Sequence, residues 1–252
     1  MAYSAQVFNK AREYLRSFTD NHLDDRRTNM PSGAQPTFWM YTYPTQPKNN
    51  FDEVFPGIVL GDHQLARNKP QLQAIGITHI LNCAMGAKFN QVNTNADYYS
   101  MAGIQFMGIK AQDSPTYNMM PHFKPCAEYI DKALKSGGKV YVHCQSGVSR
   151  SATITLASLM LQKNMELMNA LMTVRSKREI YPNDGFLKQL CELDKTLYGD
   201  KYPDEEKQDT TNQKLVANQK QSANKKKDAS QKQVANENQK QHDSSSKKAK
   251  TS

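Results

Sequence analysis

Alternation of hydrophobic and polar positions divides the chain into short strands set between amphipathic helices. β-Branched and aliphatic residues crowd Ile77-Thr78-His79-Ile80-Leu81-Asn82, residues 104–109 and Lys139-Val140-Tyr141-Val142. These runs are too short for helices and predict strands. Residues 53–61 hold two further short strands around Pro56-Gly57. Helical periodicity is predicted over 121–135, where Phe123, Ala127, Ile130 and Leu134 share a face, and over 151–163, 166–177 and 184–198. Gly137-Gly138 stops the first of these. Residues 65–75 read as helical in parts, interrupted at Pro70, and 87–96 as a polar loop. Strands alternating with helices predict one α/β domain, with a central, mostly parallel sheet flanked by helices.

Outside that domain the pattern changes. Val7, Ala11, Tyr14 and Phe18 form a helical stripe over 4–18, expected to dock on the domain's own surface rather than on a partner. Residues 19–50 are polar and broken by Pro31, Pro36, Pro44 and Pro47; Phe38, Trp39, Tyr41 and Tyr43 read as the anchor of an extended arm. After Pro203, Gln, Lys, Asn and Ser dominate, and Val216-Ala217-Asn218 recurs as Val234-Ala235-Asn236. Too few apolar residues remain there to offset the entropy of ordering, which predicts a disordered tail. The divisions are therefore 1–50, helix and arm; 51–200, the domain; and 201–252, the tail.

The formal charge of +9 is uneven, since residues 201–252 carry 12 Lys against 7 Asp plus Glu. The basic character belongs largely to the tail and requires no nucleic-acid surface on the domain. Cys83, Cys126, Cys144 and Cys191 show neither a disulfide framework nor a C-x-x-C pair for zinc or dithiol chemistry. Residues 1–20 lack the apolar core of a secretory signal, and no apolar run is long enough to span a bilayer. The expectation is a soluble, reducing compartment, cytoplasmic or also nuclear, in which a free thiol survives.

Candidate chemistry concentrates between the strand ending at Val142 and the helix starting near Ser151. His143-Cys144-Gln145-Ser146-Gly147-Val148-Ser149-Arg150-Ser151 places a cysteine and an arginine around a glycine-containing loop. Such a strand–loop–helix suits a phosphate: loop amides point inward, the helix start adds partial positive charge, and Arg150 grips two oxygens. The same field lowers the pKa of Cys144, making it the candidate nucleophile. Gly147 allows the turn. Ser151 is expected to cap the helix and to hydrogen-bond the thiolate. His143, at the end of a buried strand, is expected to orient the loop rather than move protons. Asp113, after another strand, lies at the same sheet end and is the candidate acid.

His143-Cys144-x-x-Gly147-x-x-Arg150-Ser151 resembles the signature of the protein tyrosine phosphatase superfamily. Residues 76–82, 92–96, Gly108-Ile109-Lys110-Ala111-x-Asp113, Val174-Arg175-x-x-Arg178-Glu179-Ile180 and Pro182-Asn183-Asp184-Gly185-Phe186-Leu187 are similar to the VHR-type atypical dual-specificity phosphatases. The resemblance covers about 51–198. It implies hydrolysis of phosphotyrosine and phosphoserine or phosphothreonine through a phosphocysteine on Cys144, without metal or cofactor. It further implies that Arg150 holds the phosphate, Asp113 serves as acid and then base, and Ser151 assists thiolate departure. Asn183 would brace the loop. Gln145, Ser146, Gly147, Val148 and Ser149 would bind substrate, with Val148 opening the mouth of the pocket. Arg178 would line a second anionic pocket, and phosphorylated proteins, mitogen-activated protein kinases among them, would be substrates. Two readings compete: a phospho-binding scaffold without turnover, and a phosphatase for a non-protein phosphomonoester. Cys144, Asp113 and Arg150 together favour catalysis, and the absence of any other Lys or Arg in the loop disfavours a lipid phosphate.

Overall fold

A computed structural model describes residues 2–18 and 46–199. The aromatic cluster within 38–43 and the tail beyond Pro203 lie outside the described residues. The sheet has five strands in the order β1-β2-β5-β3-β4. β1 (Phe51–Phe55) and β2 (Ile58–Gly61) form an antiparallel hairpin. Its turn needs Gly57, which sits at φ +77° where a side chain would collide with Leu134. β3 (His79–Asn82), β4 (Gln105–Gly108) and β5 (Val140–His143) run parallel to one another and to β2.

Side chains alternate across this sheet into two cores. On one face Val59, Ile80 and Tyr141 pack under three short helices: α2 (His63–Ala66), α3 (Lys69–Ala74) and α4 (Ala96–Ser100). On the other face Leu60, Leu81, Val140 and Val142 join the larger core. It is covered by α5 (Met120–Lys135), α6 (Arg150–Lys163), α7 (Leu167–Arg175) and α8 (Asp184–Tyr198). α6 is buried from Arg150 to Met160 on every side, consistent with its small and aliphatic composition. The N-terminal helix α1 (Ala2–Ser17) places Ala11 and Leu15 in this same core, so its stripe docks on the domain.

Two local expectations change. Pro70 does not interrupt a helix; it stands in the first turn of α3, where its missing N–H costs nothing, behind the Asn68 cap. The polar loop ends at Asn95, whose side chain accepts from Tyr98 N–H and starts α4. The strand register fixes where the loops emerge. Gly61 and Asn82 both pair with His143, and Gly108 pairs with Asn82, so β2, β3, β4 and β5 end together at one edge. Loops leaving that edge converge, as in other open α/β sheets.

Candidate active site

β5 delivers His143 to the sheet edge and the next six residues arch back to the start of α6. Gly147 makes the arch possible, with φ at +69°. A Cβ there would stand 2.5 Å from the Gly61 carbonyl and 2.7 Å from an Arg178 nitrogen. Arg178 lies beneath the arch with almost no exposure. Its Nε donates to Gly147 O at 3.0 Å and its Nη2 to Ser146 O at 3.2 Å, while Nη1 donates to Asn49 O and to Asp52 Oδ2. His63, at the start of α2, holds the opposite side by donating its backbone N–H and its Nδ1–H to Gln145 O.

Cys144 is fully buried at the foot of the loop. Its Sγ accepts from Gly147 N at 3.3 Å and from Ser151 Oγ at 3.2 Å. Burial pushes the thiol up, and Asp113 adds to that. The Arg150 charge and the hydrogen bonds from Ser151 outweigh both, so the Cys144 thiol titrates below its ordinary value. The other cysteines go the opposite way: burial raises Cys83 strongly, and raises Cys126 and Cys191 to about 12. Only at Cys144 does the fold favour a thiolate.

Arg150 opens α6 with its side chain buried. Nη1 donates to Asn90 O at 2.8 Å and Ala111 O at 3.3 Å, and Nη2 donates to Asn90 Oδ1 at 2.5 Å. One Nη2–H and the Nε–H remain, the side-on pair that fits two phosphate oxygens. Nε is buried with no hydrogen-bond partner among the described residues. Asp113 Oδ2 lies 3.3 Å from it, close enough to attract but without hydrogen-bond alignment. An oxyanion entering the loop would satisfy that donor. The other oxygen of Asp113, Oδ1, accepts from Ser149 Oγ at 2.9 Å and Asn183 Nδ2 at 3.1 Å. Asn183 meanwhile caps α8 through Phe186 N–H and donates its own N–H to Ser149 Oγ.

Nucleophile, arginine and carboxylate thus converge, with Ser151 on the sulfur and Asn183 on Asp113. Gln145 and Ser146 are partly exposed on the rim. His143 is buried beside Tyr141, and its Nδ1–H donates to Cys144 O at 3.2 Å. Burial drops its pKa to about 4, so the ring is neutral and fits the orienting role. Two expectations are corrected. Ser151 does not cap α6, because Ser149 occupies the cap position and the Ser151 hydroxyl is turned to the sulfur. Val148 does not shape the mouth, because its side chain is fully buried. Arg178 lines the cavity beside the loop, with four of its five N–H groups engaged, one by Asp52.

Sequence reasoning missed Asn90, Ser149 as a partner of Asp113, and Asp52. Asn90 sits at φ +63°, a conformation Asn tolerates better than most residues. That tolerance is the one local signal it carries.

Comparison with known proteins bears on the same residues. Residues 58–196 match the family described as dual specificity phosphatase, catalytic domain. Dual specificity protein phosphatase 26 of Mus musculus is 45% identical over 150 residues, which are 59% of this chain and 69% of that protein. Dual specificity protein phosphatase 13B of Homo sapiens is 48% identical over 150 residues, 59% of this chain and 75% of that one. The crystal structure of human DUSP28 aligns with a TM-score of 0.52 and 26% identity, covering 61% of this chain and 99% of that chain. With the family's catalytic domain running from β2 into α8 and near-half identity to two of its members, this chain belongs to the atypical dual-specificity protein phosphatases.

Proposed function

We propose that the domain at 51–200 hydrolyses phosphotyrosine and phosphoserine or phosphothreonine in two steps, with Cys144, Arg150, Asp113 and Ser151 as its working groups. In the first step the Cys144 thiolate attacks phosphorus and the P–O ester bond breaks. Asp113 gives its proton to the departing oxygen, leaving a phosphocysteine. In the second, water attacks phosphorus, Asp113 takes its proton, and the S–P bond breaks to release phosphate. Ser151 O–H steadies the returning thiolate. Arg150 binds the equatorial oxygens through Nε–H and Nη2–H in both steps, alongside the amides of residues 145–149. His143 and Asn183 position these groups without touching the phosphate.

The observation that carries this reading is the thiol held below its ordinary value directly beside a buried arginine with an unpaired donor. Cys144→Ser should abolish hydrolysis of a small aryl phosphate while phosphopeptide binding persists. Full activity in that variant would remove Cys144 from the mechanism. The family resemblance also supports mitogen-activated protein kinases as substrates and the cytoplasm or nucleus as the place of action. No helix among the described residues is long and apolar enough to cross a membrane.

A further inference from the structure

The segment between β4 and α5, residues 109–119, brings Asp113 to Arg150. α8 meets this segment at three alternate positions. Asn183 Nδ2 donates to Asp113 Oδ1 at 3.1 Å. Gly185 meets Pro115: a Cβ on Gly185 would stand 2.5 Å from the Pro115 carbonyl carbon, 2.6 Å from its Cα and nearer still to its oxygen. Gln189 meets Tyr117, whose carbonyl oxygen accepts from Nε2 at 2.9 Å. The other half of the same carboxamide closes the segment. Gln189 Oε1 accepts the N–H of Met119 at 2.6 Å and that of Met120 at 3.2 Å. Met119 holds the cap position of α5 but has no capping side chain, so the Gln189 oxygen, with Asn118 Oδ1 beside it, takes that place.

Neither Gly185 nor Gln189 is what α8 alone would select. Alanine suits a helix better than glycine, and the Gln189 carboxamide spends both its donor and its acceptor outside its own helix. Four residues apart, the two lie on one face of α8. We infer that Gly185 and Gln189 are positioning residues for the general acid. Gly185 lets the backbone of Pro115 lie directly on α8, and Gln189 pins the backbone from Tyr117 to Met120. Asp113 is thereby held beside Arg150 before any substrate arrives. The inference rests on the proposed two-step hydrolysis and concerns its first step, where the P–O bond breaks and the Asp113 proton goes to the ester oxygen. A phenol, with a pKa of about 10, leaves poorly without that proton, and an alkyl oxygen more poorly still. A dinitrophenol leaves readily as its anion.

The test compares kcat/KM of the full-length protein on dinitrophenyl phosphate and on phenyl phosphate. The ratio of the two stays small while the acid works and grows when it fails, whereas a loss of folded protein lowers both values together. Asp113→Asn sets the scale, with a rise of about 10²–10⁴-fold expected for loss of a general acid. In Gly185→Ala the methyl must push Pro115 back by about 1 Å to reach ordinary contact, a misplacement that can cost on the order of 10²-fold. The ratio should therefore rise by at least about tenfold. Added to Asp113→Asn, Gly185→Ala should raise it no further, because both act through one carboxyl group. Gln189→Met removes the hydrogen bonds at similar length and should raise the ratio in the same direction; it decides the matter if Gly185→Ala does not fold. An unchanged ratio in Gly185→Ala or in Gln189→Met, or a further rise in the double variant, would overturn the inference. Absence of turnover of dinitrophenyl phosphate by the parent would sink the phosphatase reading itself, whereas turnover by the parent with ratios unmoved would sink only the inference.

Discussion

Three of the five N–H groups of Arg150 are held by Asn90 and Ala111 before any substrate arrives. The guanidinium therefore cannot swing, and its free edge faces the loop. This is preorganisation: the donors need no reorientation when charge shifts from the ester oxygen to sulfur and back. The sulfur is tuned in the same way by Ser151. Ser151→Ala removes a donor to the thiolate, so the Cys144 pKa rises and the acid limb of the kcat/KM profile moves to higher pH. A charge-assisted hydrogen bond of about 1.5–3 kcal/mol corresponds to roughly one to two pH units. An aryl phosphate profile measured from pH 4 to 8 checks this; an unmoved limb would mean the hydroxyl does not act on the ionised sulfur. Cys144 and Arg150 were legible in the sequence because they lie six residues apart on one loop, where spacing alone fixes their relation. Asn90 was not, since its contact with Arg150 spans 60 residues and depends on strand order. Val148 was misread for a related reason. Position in a loop does not say which way a side chain points.

At the scale of elements, one residue joins a helix to the chemistry. Asn183 caps α8 with its Oδ1 and holds Asp113 with its Nδ2, so two substitutions separate the roles. Asn183→Ala loses both contacts and should lower stability by about 1 kcal/mol, the usual worth of a cap, with a Tm fall of about 2–4 °C. Asn183→Ser keeps a capping oxygen but is too short and lacks the N–H₂ to reach Asp113. Its Tm should stay near that of the parent while kcat falls as far as in the alanine variant. Equal kcat for Asn183→Ser and parent would show that the tie to Asp113 does not matter. Long elements such as α5, α6 and α8 were readable from periodicity or from continuous small and aliphatic runs. α4 was not, because five residues do not complete two helical turns. Pro70 was legible only as a break, since the same residue that ends a helix also begins one.

For the molecule as a whole, the N-terminal helix is part of the domain's structure. Ala11 and Leu15 enter the larger core, Arg12 meets Asp184 at 3.0 Å, and Arg175 lies over the Phe18 ring with its guanidinium carbon 4.9 Å from the centroid. The decisive contact is buried. Tyr3 Oη donates to Asp194 Oδ2 at 2.7 Å, and Asp194 Oδ1 accepts the first N–H of α7, that of Leu167, at 2.7 Å. One carboxylate on α8 thus ties α1 and α7 together, which makes it a tertiary clamp rather than a local cap. Tyr3→Phe keeps the ring and removes only the hydroxyl, leaving a buried carboxylate oxygen short of a donor. The cost should be about 1–3 kcal/mol, a Tm fall of about 2–12 °C. The catalytic loop lies at the far end of α8's contacts, beyond Asn183, so kcat on an aryl phosphate at 25 °C should stay within about twofold of the parent. A Tm drop with kcat preserved makes α1 a structural brace. A fall in kcat without loss of Tm would instead show that α1 acts on the acid through Arg12, Asp184 and the start of α8.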